Sequence, residues 1–403
     1  MPIAVYVLGL SIFAQGTSEL MLAGLLPELS ADLHVSIPQA GLLISAFAAG
    51  MLVGAPVLAV VTLTWSRRTA LLVFLAIFAL THVAGALTTN YAVLLATRIV
   101  GAFVYAGFWS VAAVTVMTLV RADARARAMS IVTGGLTVAT IVGLPLGTVL
   151  GQHLGWQSAF WTVAGLCVLA MAGVVTTVPA GRPDPAQSPR LRDEFRALRS
   201  TRLWLAFGTT ALVTATILVI FSYLAPLLTQ TTGLANGAVP GVLALYGLGS
   251  FVGINLGGRF ADALPFRTLF ISISGLIGLS AVLALTATVP VLAITAIVLL
   301  GGFGFGANPA LNARVFSLAG DRSTLATATN FSAFNVGITA GPWLGGLALD
   351  AGAAYPALGW IAVGTGLAAL ATVLFAVLRP LPVPISSPGP ADRGATGRSR
   401  PAS

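Results

Sequence analysis

The sequence predicts an all-α integral membrane protein of twelve transmembrane helices, built as two pseudo-symmetric six-helix halves with both termini in the cytoplasm. Three observations carry this expectation: too little charge for a water-facing surface, apolar stretches of membrane-spanning length, and arginines confined to alternate connections. Of 403 residues, 57% are hydrophobic and 8% charged, and the mean hydropathy is +0.97. A soluble domain carries roughly 25% charged residues. A soluble domain, a soluble multidomain enzyme and a disordered chain are therefore all excluded.

A helix needs about twenty apolar residues to cross a bilayer. Such stretches fall at roughly 4–26, 38–62, 69–88, 91–119, 128–151, 158–178, 203–228, 238–258, 267–287, 290–312, 325–349 and 356–378, called spans 1–12 here. The runs are continuous and do not alternate with period two, which favours helices over a barrel. The first stretch has no basic region and no small-residue cleavage site before Pro27. It reads as a retained span rather than a signal peptide. Residues 1–178 and 203–379 make the two halves, with a linker at 179–202 and a Pro-, Gly-, Ser- and Arg-rich tail at 380–403. The tail is expected to be disordered. In the linker, Leu191, Phe195 and Leu198 recur at helical spacing among Arg190, Arg192, Arg196 and Arg199. That pattern fits either a short helix on the inner membrane surface or a solvated connection.

The formal net charge of +9 raises the question of nucleic acid, which a dense basic stripe on a folded face would support. The basic residues are all arginine, and they lie in gaps between apolar runs instead. With twelve spans, nineteen of the twenty fall on one face: Arg67 and Arg68; Arg121, Arg125 and Arg127; Arg182 through Arg202; Arg259 and Arg267; Arg314 and Arg322; and four from Arg379 onward. The other face carries only Glu28, Asp32 and Asp350. By the positive-inside rule the arginine face is cytoplasmic. No nucleic-acid partner is expected. The lone Cys167 permits no internal disulfide, and with only His34, His82 and His153 beside it no metal site or cofactor is expected.

Two strongly charged side chains remain inside spans, Glu19 and Arg98. Each costs about 2.5–3.5 kcal/mol near the bilayer centre and needs a reason to be there. Counted from the outer edge, both lie roughly 11–12 Å deep. Equal depth lets them pair directly or share a cavity. One reading is a static ion pair between spans 1 and 4. The other is a protonatable carboxylate whose charge state Arg98 controls, since burial and a nearby cation push a carboxylate in opposite directions.

Gln15, Tyr105 and Trp109 are expected to line a cavity beside this pair, with Asn308, Asn312, Thr216 and Tyr223 from the second half. Asn330 and Asn335 read as helix–helix hydrogen-bonding groups. His82 reads as interfacial, near the outer end of span 3, with proton relay as the lesser alternative. The glycines from Gly301 to Gly306 lie in an apolar span and lack the lysine of a phosphate loop, so they read as close packing. Gly143-Leu-Pro145-Leu-Gly147 in span 5 has a weak echo in Gly341-Pro342-Trp343-Leu344-Gly345 of span 11, and both prolines are expected to bend their helices. No catalytic triad or carboxylate pair is evident, so enzyme activity is not expected.

Several segments resemble the twelve-span drug:proton antiporters of the major facilitator superfamily, in particular the chloramphenicol efflux proteins of actinobacteria and their sugar-efflux-like relatives. They are Gly16-Thr17-Ser18-Glu19-Leu20-Met21, Gly24-Leu25-Leu26-Pro27, Ala40-Gly41-Leu42-Leu43 and Gly54-Ala55-Pro56 in spans 1 and 2. Arg98-Ile99-Val100-Gly101 resembles the span 4 motif, whose arginine the resemblance implicates in proton coupling. Gly143–Gly147 is similar to the antiporter motif of span 5. Ser188-Pro189-Arg190 and Leu224-Ala225-Pro226 are similar to the chloramphenicol branch. The family's gating loop, Gly-x-x-x-Asp before basic residues, is degenerate in its first copy, where Ala59 and Leu63 precede Arg67 and Arg68. The second copy keeps Gly258, Asp262 and Arg267.

The resemblance implies proton-driven export of a hydrophobic or amphipathic drug, most of all chloramphenicol, by a monomer in the bacterial inner membrane. Its partners are then the drug, protons and the lipid bilayer. The alternative within the same fold is export or uptake of a sugar or other metabolite. A non-transporting receptor is disfavoured because no loop is large enough to form a signalling domain.

Overall fold

The computed structural model describes residues 1–62, 65–121, 124–180, 200–261, 264–319 and 323–378. The linker pattern at Leu191–Leu198, the acid Asp262 and the tail beyond Leu378 lie outside these. The described chain is helical throughout, without a strand among the described residues, as a bilayer requires of a chain that must satisfy its own backbone.

Span 1 is Ile3–Asp32, span 2 Ile37–Val61, span 3 Arg67–Leu87 and span 4 Tyr91–Leu119. Span 5 is broken: Arg125–Val138 passes through a π turn, Ala139–Gly143, into Leu144–Leu154, with Pro145 placed where its missing N–H does no harm. Span 6 is Gln157–Thr177. Span 7, Thr201–Phe221, is extended by Leu224–Pro226 and a second π turn, Leu227–Thr231. Spans 8 and 9 are Val239–Ala261 and Pro265–Thr286. Span 10, Pro290–Gly306, breaks at Ala307 and resumes as Asn308–Ala319. Span 11 is Ser323–Asp350, continuous through Pro342, and span 12 is Ala357–Leu378. Among the described residues eleven helices are long and apolar enough to cross a membrane. Span 11, at 28 residues, is not one of them; Asn330, Ser332, Asn335 and Thr339 make it more polar.

Short polar connections start the helices. Ser36 and Gln39 form a reciprocal cap at span 2, with Ser36 N–H donating to Gln39 Oε1 (2.9 Å) and Gln39 N–H to Ser36 Oγ (3.2 Å). Asn90 Oδ1 accepts from the Ala92 and Val93 amides at span 4. Gly155, at φ 84°, takes the turn after span 5 that an L side chain would resist.

Helix packing repeats between the halves. Spans 1 and 5 run parallel, Gly143 fitting against Thr17 and Gly147 against Met21. Spans 7 and 11 do the same, with Gly337 on Thr214 and Gly341 on Ala215. Spans 2 and 4 meet at Gly50–Ile99 and Gly54–Phe103, spans 8 and 10 at Gly249–Val298 and Gly253–Gly302. At Gly54 and Gly253 the opposing backbone occupies the place of a Cβ, the small-residue contact typical of membrane helices.

Among the described residues the halves meet along spans 2 and 11 and, at one end, through spans 1, 5, 7 and 8. Ser45 Oγ on span 2 donates to the Thr339 carbonyl of span 11 (2.9 Å), next to the Ile338 carbonyl that Pro342 deprives of its N–H partner. Gly247 of span 8 lies on Thr140 and Ile141 in the π turn of span 5. Gln152 donates to the Asn236 carbonyl (3.0 Å). At the other end neither span 4 nor Arg125–Val138 makes extended contact with the second half. One correction concerns Arg314. The sequence places it in a loop, but it lies in the continued helix of span 10 and is buried, donating to Thr209 Oγ1 (3.4 Å) beneath the Phe266 ring.

Candidate functional site

Among the described charged side chains Arg98 is the most deeply buried, 2% exposed. It occupies a seat made by span 1. Nη1 donates to Ser18 Oγ (2.8 Å) and Nη2 to the Ser18 carbonyl (3.1 Å), while the guanidinium stacks on Phe47 of span 2 at 4.1 Å. Its Nε has no partner. Arg98 and Glu19 are electrostatic neighbours, so the equal depth expected from sequence brings them together. The hydrogen bonds of Arg98 nevertheless go to Ser18, one residue before the acid. Glu19 is half-buried and has Arg98 and Tyr105 of span 4 as neighbours.

His82 completes the arrangement. It lies near the end of span 3 and is buried against the neighbouring helices. Nε2 lies 2.6 Å from Ser18 Oγ and Nδ1 lies 2.7 Å from the Phe78 carbonyl. Its ring packs between Phe78 (4.4 Å) and Phe160 (5.4 Å). Since a carbonyl can only accept, Nδ1 carries the proton and Nε2 accepts from the Ser18 hydroxyl. The serine lone pairs then face Arg98. The serine beside the acid, at the same depth as a histidine on span 3, is the signal that sequence reasoning left unused.

The expected cavity residues divide. Gln15 and Tyr105 are fully buried near the site; Gln15 Oε1 lacks a partner, an orphan atom that suits a polar solute or water, while the Tyr105 hydroxyl neighbours Glu19. The Tyr105 ring stands 6.0 Å from both Phe47 and Phe78, and Trp109 is half-buried one turn further. The second-half candidates are engaged with neighbouring helices. Thr216 donates to Thr365 of span 12 (2.9 Å). Tyr223 donates to the Pro342 carbonyl (2.7 Å) and its ring fills a socket of Gly41, Gly345 and Gly346. Asn312 accepts from Asn330, which also accepts from Thr210, and donates to the carbonyl of half-buried Asn308. Asn330 thus bonds between helices, whereas Asn335 bonds within its own and leaves Oδ1 without a partner.

The gating and packing residues sit apart from this site. Arg67 donates to Thr118 Oγ1, joining the start of span 3 to the end of span 4. Arg68 is half-buried beside it, and Arg267 is exposed. A Cβ at Gly258 would meet nothing, so packing does not demand that glycine. Gly143, Gly147 and Gly341 lie in the parallel seams described above, and Pro145 and Pro342 beside them. No group of three metal-ligating side chains occurs among the described residues.

Comparison with known proteins places this geometry. Residues 8–332 match the Major Facilitator Superfamily. The chain is 43% identical over 347 residues, 85% of its length and 88% of the relative's, to a chloramphenicol resistance protein of Streptomyces lividans. It is 32% identical to the inner membrane transport protein YdhP of Escherichia coli (strain K12), covering 89% of this chain and 93% of that one. Among solved structures, the nucleoside transporter NupG superposes with a TM-score of 0.72 at 14% identity, over 92% of this chain and 99% of NupG. A bacterial homologue of the human lysosomal transporter Spinster, inward-facing and unoccupied, superposes with a TM-score of 0.67 at 19% identity, over 94% and 95%. These last two speak for the fold alone.

Proposed function

Because the chain belongs to the Major Facilitator Superfamily, we propose that it exports a hydrophobic or amphipathic drug, chloramphenicol or a related phenicol, in exchange for protons across the bacterial inner membrane. The observation that carries the substrate is the 43% identity to a protein named for chloramphenicol resistance. The coupling rests on an acid and a buried guanidinium held as electrostatic neighbours between spans 1 and 4. The twelve helices cross the membrane with both termini and the arginine-rich connections inside, so the end where the halves part faces the cytoplasm. Drug enters there, between the halves.

Glu19 alternates between proton and no proton as the cavity changes face, with Arg98 biasing the ionised form. Rocking of one half on the other about the drug supplies alternating access. A unit charge carried across 100 mV is worth about 2.3 kcal/mol, so exchange of a neutral drug for protons draws on the membrane potential as well as the pH gradient. The solute leaves chemically unchanged.

Expression in a drug-sensitive host should raise phenicol tolerance, and everted vesicles should take up chloramphenicol on energisation. Unchanged tolerance and uptake would reject the substrate. If Glu19→Gln transports with full proton coupling, the acid has been assigned the wrong role.

A further inference from the structure

The hydrogen-bond chain behind Arg98 has no place in simple acid–guanidinium coupling, yet it determines where the guanidinium sits. Four groups from three helices run in one direction: Arg98 Nη1–H to Ser18 Oγ, Ser18 O–H to His82 Nε2, and His82 Nδ1–H to the Phe78 carbonyl. Each donor has one acceptor, and this polarity exists only while the His82 ring offers a lone pair at Nε2. Without it, the Ser18 hydroxyl loses its fixed acceptor and can turn its proton toward Arg98, where it repels the guanidinium. Glu19, adjoining Ser18, is the alternative partner within electrostatic reach.

We propose that Ser18 and His82 form a positioning relay that seats Arg98 away from Glu19 and so sets the pH at which the carboxyl exchanges its proton. The proposal rests on Glu19 being the coupling acid. The groups facing His82 are Ser18 and, one residue on, Glu19 from span 1, Phe78 on its own helix, Arg98 from span 4 and Phe160 from span 6. Of these only Glu19 and Arg98 carry charge, and Glu19 itself faces Arg98 and Tyr105 of span 4. In this proposal His82 neither carries a proton nor touches drug. It acts through the orientation of one hydroxyl.

The relay and a purely structural histidine separate experimentally. His82→Phe keeps a ring between Phe78 and Phe160 but has no acceptor. His82→Gln loses the ring yet presents an amide oxygen near the position of Nε2. Full-length protein in liposomes, with chloramphenicol-driven proton movement followed by an entrapped pH dye, gives the pH profile of coupling. For His82→Phe the half-maximal pH should fall by about one unit, because a guanidinium moved onto a carboxylate favours its ionised form. His82→Gln should remain near the native profile. Ser18→Ala should shift like His82→Phe and serves if that variant does not fold. A native profile for His82→Phe, or for Ser18→Ala in its stead, overturns the relay, as does a shift in His82→Gln equal to that in His82→Phe. Loss of coupling in Glu19→Gln alongside such a result leaves the coupling acid standing. Full coupling in Glu19→Gln removes both.

Discussion

The two halves share one packing plan and fill it with opposite chemistry. Carrying the Gly54–Phe103 register onto Gly253–Gly302 sets Tyr246 in the place of Phe47 and Ile297 in the place of Arg98. The first half has there a cation, an acid, a serine and an aromatic ring. The second has a narrow crevice lined by Thr216, Ile217, Tyr246 and Ile297, with a volume of about 10 Å³, room for one water. The outward bonds differ as well: Ser18 reaches His82 on span 3, whereas Thr216 reaches Thr365 on span 12, the counterpart of span 6 and not of span 3. The charges are an addition made in one copy.

The comparison breaks hardest if charge is moved to the wrong copy. Ile297→Arg buries a cation beside Ile217 and Tyr246 with no acid, serine or histidine to receive it. It should destabilise the protein by about 3 kcal/mol, seen as a marked fall in detergent-solubilised Tm. Arg98→Ile, the reverse exchange, should leave a folded protein that no longer accumulates drug in everted vesicles; retained uptake would mean that the halves are functionally alike. The shared seams come next. Gly253→Ala pushes a methyl into the Gly302 backbone and should cost about 1–3 kcal/mol, whereas Gly258→Ala, in open space, should leave the melting temperature within experimental error. The smallest effect is expected for Thr216→Val. Losing a bond between membrane helices costs about 0.6 kcal/mol, and the pH profile of transport should not move, in contrast to Ser18→Ala.

What could be read in the sequence follows from which residues are expensive in lipid. Glu19 and Arg98 stood out because a charge in a span demands an explanation, and twelve spans were marked by apolar length, eleven of which are, among the described residues, helices long and apolar enough to cross a membrane. His82 did not stand out, since a neutral imidazole is inexpensive to bury and its importance lies in a serine on another helix. Thr216 and Tyr223 looked like cavity groups because their types fit one; only the packing reveals Thr365 and Pro342 as their partners. The continuation of span 10 through Arg314 was hidden for a related reason: a helix end inferred from polarity stops at the first arginine, while the real helix turns that arginine inward onto Thr209.

The Tyr223 ring, held among glycines of both halves, bears on tightness as well as packing. A methyl at Gly41 would lie 2.5 Å from its hydroxyl, so the socket has no slack for a larger neighbour. On the transport cycle proposed above, a ring that seats badly there would open a leak between the two aqueous phases, a standing drain on the gradient that drives the exchange.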